Sequence, residues 1–314
     1  MLCDDLYCCG LAINCNNGFS WGNLLETSMT FELRRHARNV HSFKFKLKNQ
    51  NDVQSVMLLS DLHWDNPHCD RELLAKHLDE AKRRQAPVLL IGDSYCCMEG
   101  RGDLRADRNI RPEHNNNRYL DSLVETFAEW LKPWYSVISV IGVGNHETSV
   151  QKRHDTCLVS RLCQTIRSNG GIAQEGGYGG WVRFHFRMYG TMYRSNTLYY
   201  HHGFGGGSPS TRATNHFTTH YSAQTSGNID IYAAGHTHWK EAVPVRKAKL
   251  NGSNKVELVD VHYLRLGTYK DEYSTDGLGF HIEKGRGARA LGGYIVNFTM
   301  HKKDGIRRTV EELN

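Results

Sequence analysis

The residues of this chain best equipped for chemistry are carboxylates and imidazoles that fall just after short apolar runs. Val56-Met57-Leu58-Leu59-Ser60 has strand character and stops at Asp61-Leu62-His63. Val88 to Ile91 stops at Gly92-Asp93, and Ser136 to Val143 stops at Gly144-Asn145-His146-Glu147. Asn196 to Tyr200 leads into His201-His202-Gly203, and Ile229 to Ala234 into Gly235-His236-Thr237-His238. Oxygen donors and neutral imidazoles are ligands for divalent cations. In extended chain, residues two apart share a side, so Asp61 and His63 can face one ion. His201 and His202 are adjacent and point to opposite sides, so only one of them can. A single Asp-x-His reads equally well as a solvated strand end. Five such ends, all at the carboxyl side of their strands, are hard to explain as packing, because open α/β sheets hold ligands in that crevice.

The elements that must position these residues follow from periodicity. Strand 53–60 is followed by an amphipathic helix from Cys69 to Arg84, with Leu73, Leu74, Leu78 and Ala81 on one face and a cap near Asp70. Pro87 then opens the next strand, so the stretch reads as a right-handed βαβ unit. Ser94 to Asn117 is a polar loop carrying Arg101, Arg105, Arg108 and Arg111, which could meet a negative substrate or simply stand in solvent. Helices are expected from Tyr119 to Leu131 and from Val150 to Ser168, with another from Asn215 to Gln224. His41 to Lys48 alternates apolar and basic residues and reads as a strand with one wet face. Further strands at Trp181–Tyr189, Ala242–Lys249, Val256–Leu264 and Gly292–Met300 make the C-terminal half rich in β structure. The charged stretch Lys302–Asn314 is expected to fray.

Composition narrows the class. With 23% charged and 39% hydrophobic residues over 314 positions, the chain can bury a core of one large domain. No window approaches the roughly 20 apolar residues of a membrane span. The start lacks a signal-peptide pattern, which points to a soluble cytoplasmic protein. The net charge of +6 permits an anionic substrate without requiring one. None of the nine cysteines falls in Cys-x-x-Cys spacing, so a zinc ribbon is not expected. The first 28 residues lack periodicity, which makes them an N-terminal extension and Met29 a candidate native start. A single domain then covers residues 29–301.

The ordered set of motifs resembles the calcineurin-like metallophosphoesterase family. That family's signature is Asp-x-His, Gly-Asp, Gly-Asn-His-Asp/Glu, His, and Gly-His-x-His, and it is matched here across about residues 53 to 268. The resemblance implies an α/β fold: a two-sheet β-sandwich flanked by helices, in four layers. It implies one cation held by Asp61, His63 and His238, a second by Asn145, His202 and His236, and Asp93 between the two. Cations about 3.5–4 Å apart need such a carboxylate or a hydroxide to offset their repulsion. Mn²⁺ is the favoured ion, with Zn²⁺ or Fe as alternatives. The implied chemistry is hydrolysis of a phosphoester by a water made acidic between the ions. His146 resembles the family's general acid or charge stabiliser. Glu147 either orients His146 or is a carboxylate facing a helix dipole.

One departure from the family pattern concerns Asp93-Ser94-Tyr95-Cys96-Cys97, where many members carry a further Asp. The ligand itself is intact, but the wall on the substrate side differs. The basic loop and the lysine strand lean toward a phosphodiesterase or nuclease acting on nucleotides or nucleic acid. The alternatives are a phosphomonoesterase and, from another class, a non-catalytic metal-dependent scaffold.

Overall fold

Alternation along β3 (Gln54–Leu59) sets the architecture. In the computed structural model, which describes residues 30–97, 110–205, 228–250, 252–273, 280–283, 285–302 and 305–314, this strand is buried on both faces. Val56 and Leu58 join an apolar layer between two sheets, while Met57 and Leu59 join a layer beneath helices. A strand with no wet face must be central. The expected N-terminal extension, Met29 and the expected helix Asn215–Gln224 lie outside the described residues.

Around β3 stand β4 (Val88–Leu90), β5 (Ile138–Ile141) and β6 (Gln174–Glu175), all running parallel to it. On its other side β12 (Tyr294–His301) and β13 (Gly305–Glu312) add an antiparallel edge, giving the order β13-β12-β3-β4-β5-β6. The second sheet combines β1 (Phe31–Ala37), β2 (Val40–Leu47), β7 (Gly179–Met188), β8 (Met192–His201), β9 (Ile231–Ala234), β10 (Glu241–Leu250) and β11 (Val256–Arg265). Its order is β1-β2-β7-β8-β9-β11-β10, with β8 and β9 parallel. The two mixed sheets, flanked by helices, form the expected α/β sandwich. Phenylalanines close the space between them: Phe186 of β7 lies 5.1 Å from Phe298 of β12, and Phe184 lies 5.4 Å from the same ring.

Helices α1 (Arg71–Arg84), α2 (Tyr119–Leu131), α3 (Asn145–His154) and α4 (Leu158–Ser168) supply the crossovers between the parallel strands. α1 buries Leu74, Leu78 and Ala81, spaced four and three apart, and Asp70 caps it by accepting from Leu73 N at 2.8 Å. No described helix is long and apolar enough to cross a membrane.

Two expectations are corrected here. The single helix Val150–Ser168 is two helices, because Asp155 turns left-handed at φ 51° and ends α3. The stretch expected to fray contains β13, which pairs with β12 from Tyr294↔Glu312 to His301↔Gly305. Ile306 and Val310 pack against the inter-sheet layer, with the half-buried Arg308 between them on the same side, while Arg307, Thr309 and Glu311 are exposed. Charge density hid an edge strand whose inward side carries two apolar residues and a paired arginine.

Candidate metal centre

Each of the five motifs arrives where its strand ends. β3, β4 and β5 end in Leu59, Leu90 and Ile141, just before Asp61/His63, Asp93 and Asn145/His146. β8 and β9, from the other sheet, end in His201 and Ala234, just before His202 and His236/His238. The crevice therefore draws its donors from both sheets.

Two sets of donors form there. In the first, His63 Nε2 lies 3.1 Å from His238 Nε2, and Asp61 Oδ1 lies 3.2 Å from His238 Nε2 and 4.0 Å from His63 Nε2. In the second, Asn145 Oδ1 lies 2.7 Å from His236 Nδ1 and 3.1 Å from His202 Nε2. Asp93 Oδ2 joins it, 3.1 Å from His202 Nε2. The sets adjoin: His236 N donates to Asp61 Oδ2 at 2.8 Å, and His63 N to Asp93 O at 3.1 Å. All seven residues named from the sequence as ligands are thus brought into one crevice.

These residues suit cations. Asp61 Oδ1 is buried and has no hydrogen-bond partner among the described residues, which is costly unless something positive meets it. Two imidazole nitrogens 3.1 Å apart need a shared proton or a cation between them. Each set mixes oxygen with two imidazole nitrogens, a combination that suits Mn, Fe or Zn.

The local backbone is not the pleated strand the sequence suggested. Asp61, His63, Asp93, His236 and His238 all have φ between 45° and 69°. For such residues the left-handed region costs about 1–3 kcal/mol each and persists only where the surroundings enforce it. Here Asp61 N donates to Gly92 O at 3.1 Å, and Asp61 O accepts from Thr268 Oγ1 at 2.8 Å and Tyr269 N at 3.1 Å. Asp61 and His63 share a face because both turn left-handed after β3 has ended, not because of strand alternation. Gly235 permits the approach of the neighbouring loop: a Cβ there would stand 2.0 Å from Ser60 Oγ and 2.4 Å from Asp61 Oδ2.

Electrostatics follow from burial and crowding. Burial resists charge on Asp93, yet the His202 and His146 rings beside it hold its carboxyl well below the usual range. Burial also resists protonation of His202, but the adjoining Asp93 carboxylate raises its ring to about 10. Burial, with His146 and His238 adding to it, lowers His63 well below its ordinary value. His236 is lowered by burial and by His202. His202 Nδ1 donates to Ile91 O at 2.9 Å, which turns Nε2 toward Asp93 and Asn145. A cation in the second set would take the place of the proton His202 shares with Asp93.

His146 stands beside the sets. Its Nδ1 donates to Cys96 O, and its Nε2 lies 3.7 Å from Asp93 Oδ2. Glu147 does not orient it. Glu147 is buried at the N-terminus of α3 and accepts from Gly144 N at 2.8 Å, Tyr95 N at 3.0 Å and Asp93 N at 3.2 Å. Of the two roles open to it, the helix-terminal one fits, and it also ties α3 to the loop after β4. Burial and the Asp93 charge push its carboxyl up to about 8.

Two neighbours, Asp65 and Tyr178, have no role in the sequence reading, and a third enters it only as part of the altered wall after Asp93. Asp65 accepts from Cys96 N at 2.5 Å and Cys97 N at 2.9 Å and so holds the loop that presents the Cys96 carbonyl. Tyr178 sets its ring against His202, centroids 5.3 Å apart, and donates to Gly203 O at 3.1 Å. Cys96 itself is the third. Asp65 and Cys96 follow directly on recognised motifs, but only folding pairs their loops. Tyr178 sits in a glycine-rich turn with no periodic signal.

The basic residues divide. Arg111 turns inward, donating to Asn66 O, Pro67 O and Cys69 O at 3.0 to 3.2 Å, so it ties loops together. Arg101, Arg105 and Arg108 lie outside the described residues. Lys44 is paired with Glu32 of β1 at 2.9 Å on the exposed sheet face.

No protein-family model matches the sequence, and no curated protein matches it. Solved structures do show a likeness. A metallophosphoesterase from Sphaerobacter thermophilus matches at 12% identity over 83% of this chain and 89% of that one, with TM-score 0.36. The calcineurin-like phosphoesterase YfkN from Bacillus subtilis matches at 9% identity over 83% and 91%, with TM-score 0.37. GAP50, the anchor in the inner membrane complex of Plasmodium, matches at 10% identity over 83% and 89%, with TM-score 0.39. Likenesses this slight carry no functional argument, which falls to the donor geometry.

Proposed function

We propose that this chain is a metal-dependent phosphoester hydrolase with a dinuclear centre. Asp61, His63 and His238 would hold one cation and Asn145, His202 and His236 the other, with Asp93 available to both. The observation that carries the reading is the meeting of seven donors from five strand ends in two sheets, with the buried Asp61 Oδ1 accepting no hydrogen bond among the described residues and facing the His238 ring at 3.2 Å. Divalent cations, if bound by these residues, would supply Lewis acidity at phosphorus and a water made acidic toward a pKa of about 7. Asp61 and Asp93 place two negative charges to offset the cations, and Asn145 adds a neutral oxygen. His146, fixed at Nδ1 by the Cys96 carbonyl, offers Nε2 to an incoming phosphoester. From there it can give a proton to the leaving oxygen or steady negative charge on the phosphoryl group.

The substrate class is phosphodiesters, nucleotides or nucleic acid, and Mn²⁺ is the favoured ion. The test is a panel of p-nitrophenyl mono- and diesters with single- and double-stranded DNA, each assayed with Mn²⁺, Zn²⁺ and Fe²⁺. Diester or DNA hydrolysis supports the reading. Monoester hydrolysis alone makes the chain a phosphatase. Two bound equivalents with no turnover of any ester leave a metal-dependent scaffold. For DNA, affinity should fall steeply with salt.

A further inference from the structure

Beside the seven donors lies a thiol the hydrolytic reading does not use. Cys96 is 2% exposed. Its Sγ and one ring nitrogen each of His63 and His146 lie within 4.8 Å of one another. Asn66 Nδ2 donates to that sulfur at 3.5 Å, a contact that favours an electron-rich sulfur. His63 Nδ1 is buried and has no hydrogen-bond partner among the described residues. The His63 and His146 rings stand edge to face with centroids 4.9 Å apart, which leaves both near one point.

We propose that Cys96, His63 and His146 form an alternative cation position that selects soft or borderline ions such as Zn²⁺, Cd²⁺ and Co²⁺ over Mn²⁺. The proposal rests on the hydrolytic reading, because two of its three donors serve the dinuclear centre. Thiolate is the ligand type that separates these ions from harder ones. On binding, the Cys96 S–H proton leaves to solvent and a sulfur–metal bond forms. An ion held there takes a nitrogen of His146 and shares His63, so it stops turnover while the fold stays intact. A protein that works with Mn²⁺ would thereby be shut down by excess zinc.

The test uses the full metal-free chain titrated with Co²⁺. A thiolate-to-cobalt charge-transfer band is expected in the wild type and should vanish in Cys96→Ser. With Mn²⁺-loaded protein, inhibition by Zn²⁺ should need at least tenfold more zinc in that variant. X-ray absorption at the zinc edge of wild-type protein should show sulfur in the first shell, and it decides alone if Cys96→Ser does not fold. Cobalt bound without the band, a band that persists in Cys96→Ser, or a zinc shell without sulfur overturns the proposal and leaves the dinuclear reading standing. No bound cobalt at all removes both.

Discussion

His146 and Asp93 divide the work at the scale of single residues, and the division can be measured. His146 lies outside both donor sets, 3.7 Å from the carboxylate of Asp93. His146→Ala is expected to slow turnover about a hundredfold or more while leaving metal content nearly unchanged. Elemental analysis alongside rate measurement checks this, and lost metal would assign His146 to ligation instead. Asp93 touches His202 directly, and its backbone carbonyl accepts from His63 of the other set. Asp93→Asn keeps the shape but removes the charge that offsets two cations, so both ions should bind more weakly. A variant that still carries two full equivalents after dialysis would contradict the shared role.

At the scale of elements, β2 shows how a strand can carry a cost unrelated to the site. His41 on β2 is buried, opposite Arg35 of β1. Burial, with Arg35 adding to it, lowers its ring from 6.5 to about 4. Between these values the unfolded chain takes up a proton that the folded chain refuses, so stability rises with pH across this window and is lost on acidification from about 6.5 toward 4. His41→Gln should flatten that slope. Urea midpoints at several pH values for both proteins would show it, and parallel slopes would assign acid sensitivity elsewhere. Elements also explain the metal crevice. Helices α1 and α2 return the chain so that β3, β4 and β5 all point their carboxyl ends the same way.

For the whole molecule, stacking of the two sheets is what unites the two donor sources. β13 stands at the margin of this sandwich yet contributes to it. Leu313 is buried, its carbonyl accepts from Lys240 Nζ at 2.6 Å, and Arg84 reaches Glu311 at 2.8 Å. A chain ending at Lys302 would strip the β12 edge of its partner and uncover apolar surface. Its loss in stability should be at least about 3 kcal/mol, the scale of emptying one core leucine site. Thermal unfolding of the shortened chain checks this, and an unchanged midpoint would mean that β13 is dispensable.

Much of the site was legible because ligand chemistry is written in residue types. Asp61, His63, Asp93, Asn145, His146, His202, His236 and His238 each follow an apolar strand, and the strand signal needs only neighbours in sequence. The helix Tyr119–Leu131 and the cap at Asp70 were legible for the same reason, since both are local. What sequence could not carry was anything fixed by distant segments. The left-handed turns exist because distant segments hold them: residues 92, 268 and 269 hold Asp61, and the Asp93 carbonyl holds His63. Glu147 turned away from His146 because three backbone N–H groups, two of them on the loop after β4, were closer to its reach. Pairing between far parts of the chain is paid for by packing, and no local pattern records which loop will face which. The amino-acid sequence alone chose the donors; the meeting of two sheets decided that they share one crevice and placed Cys96 among them.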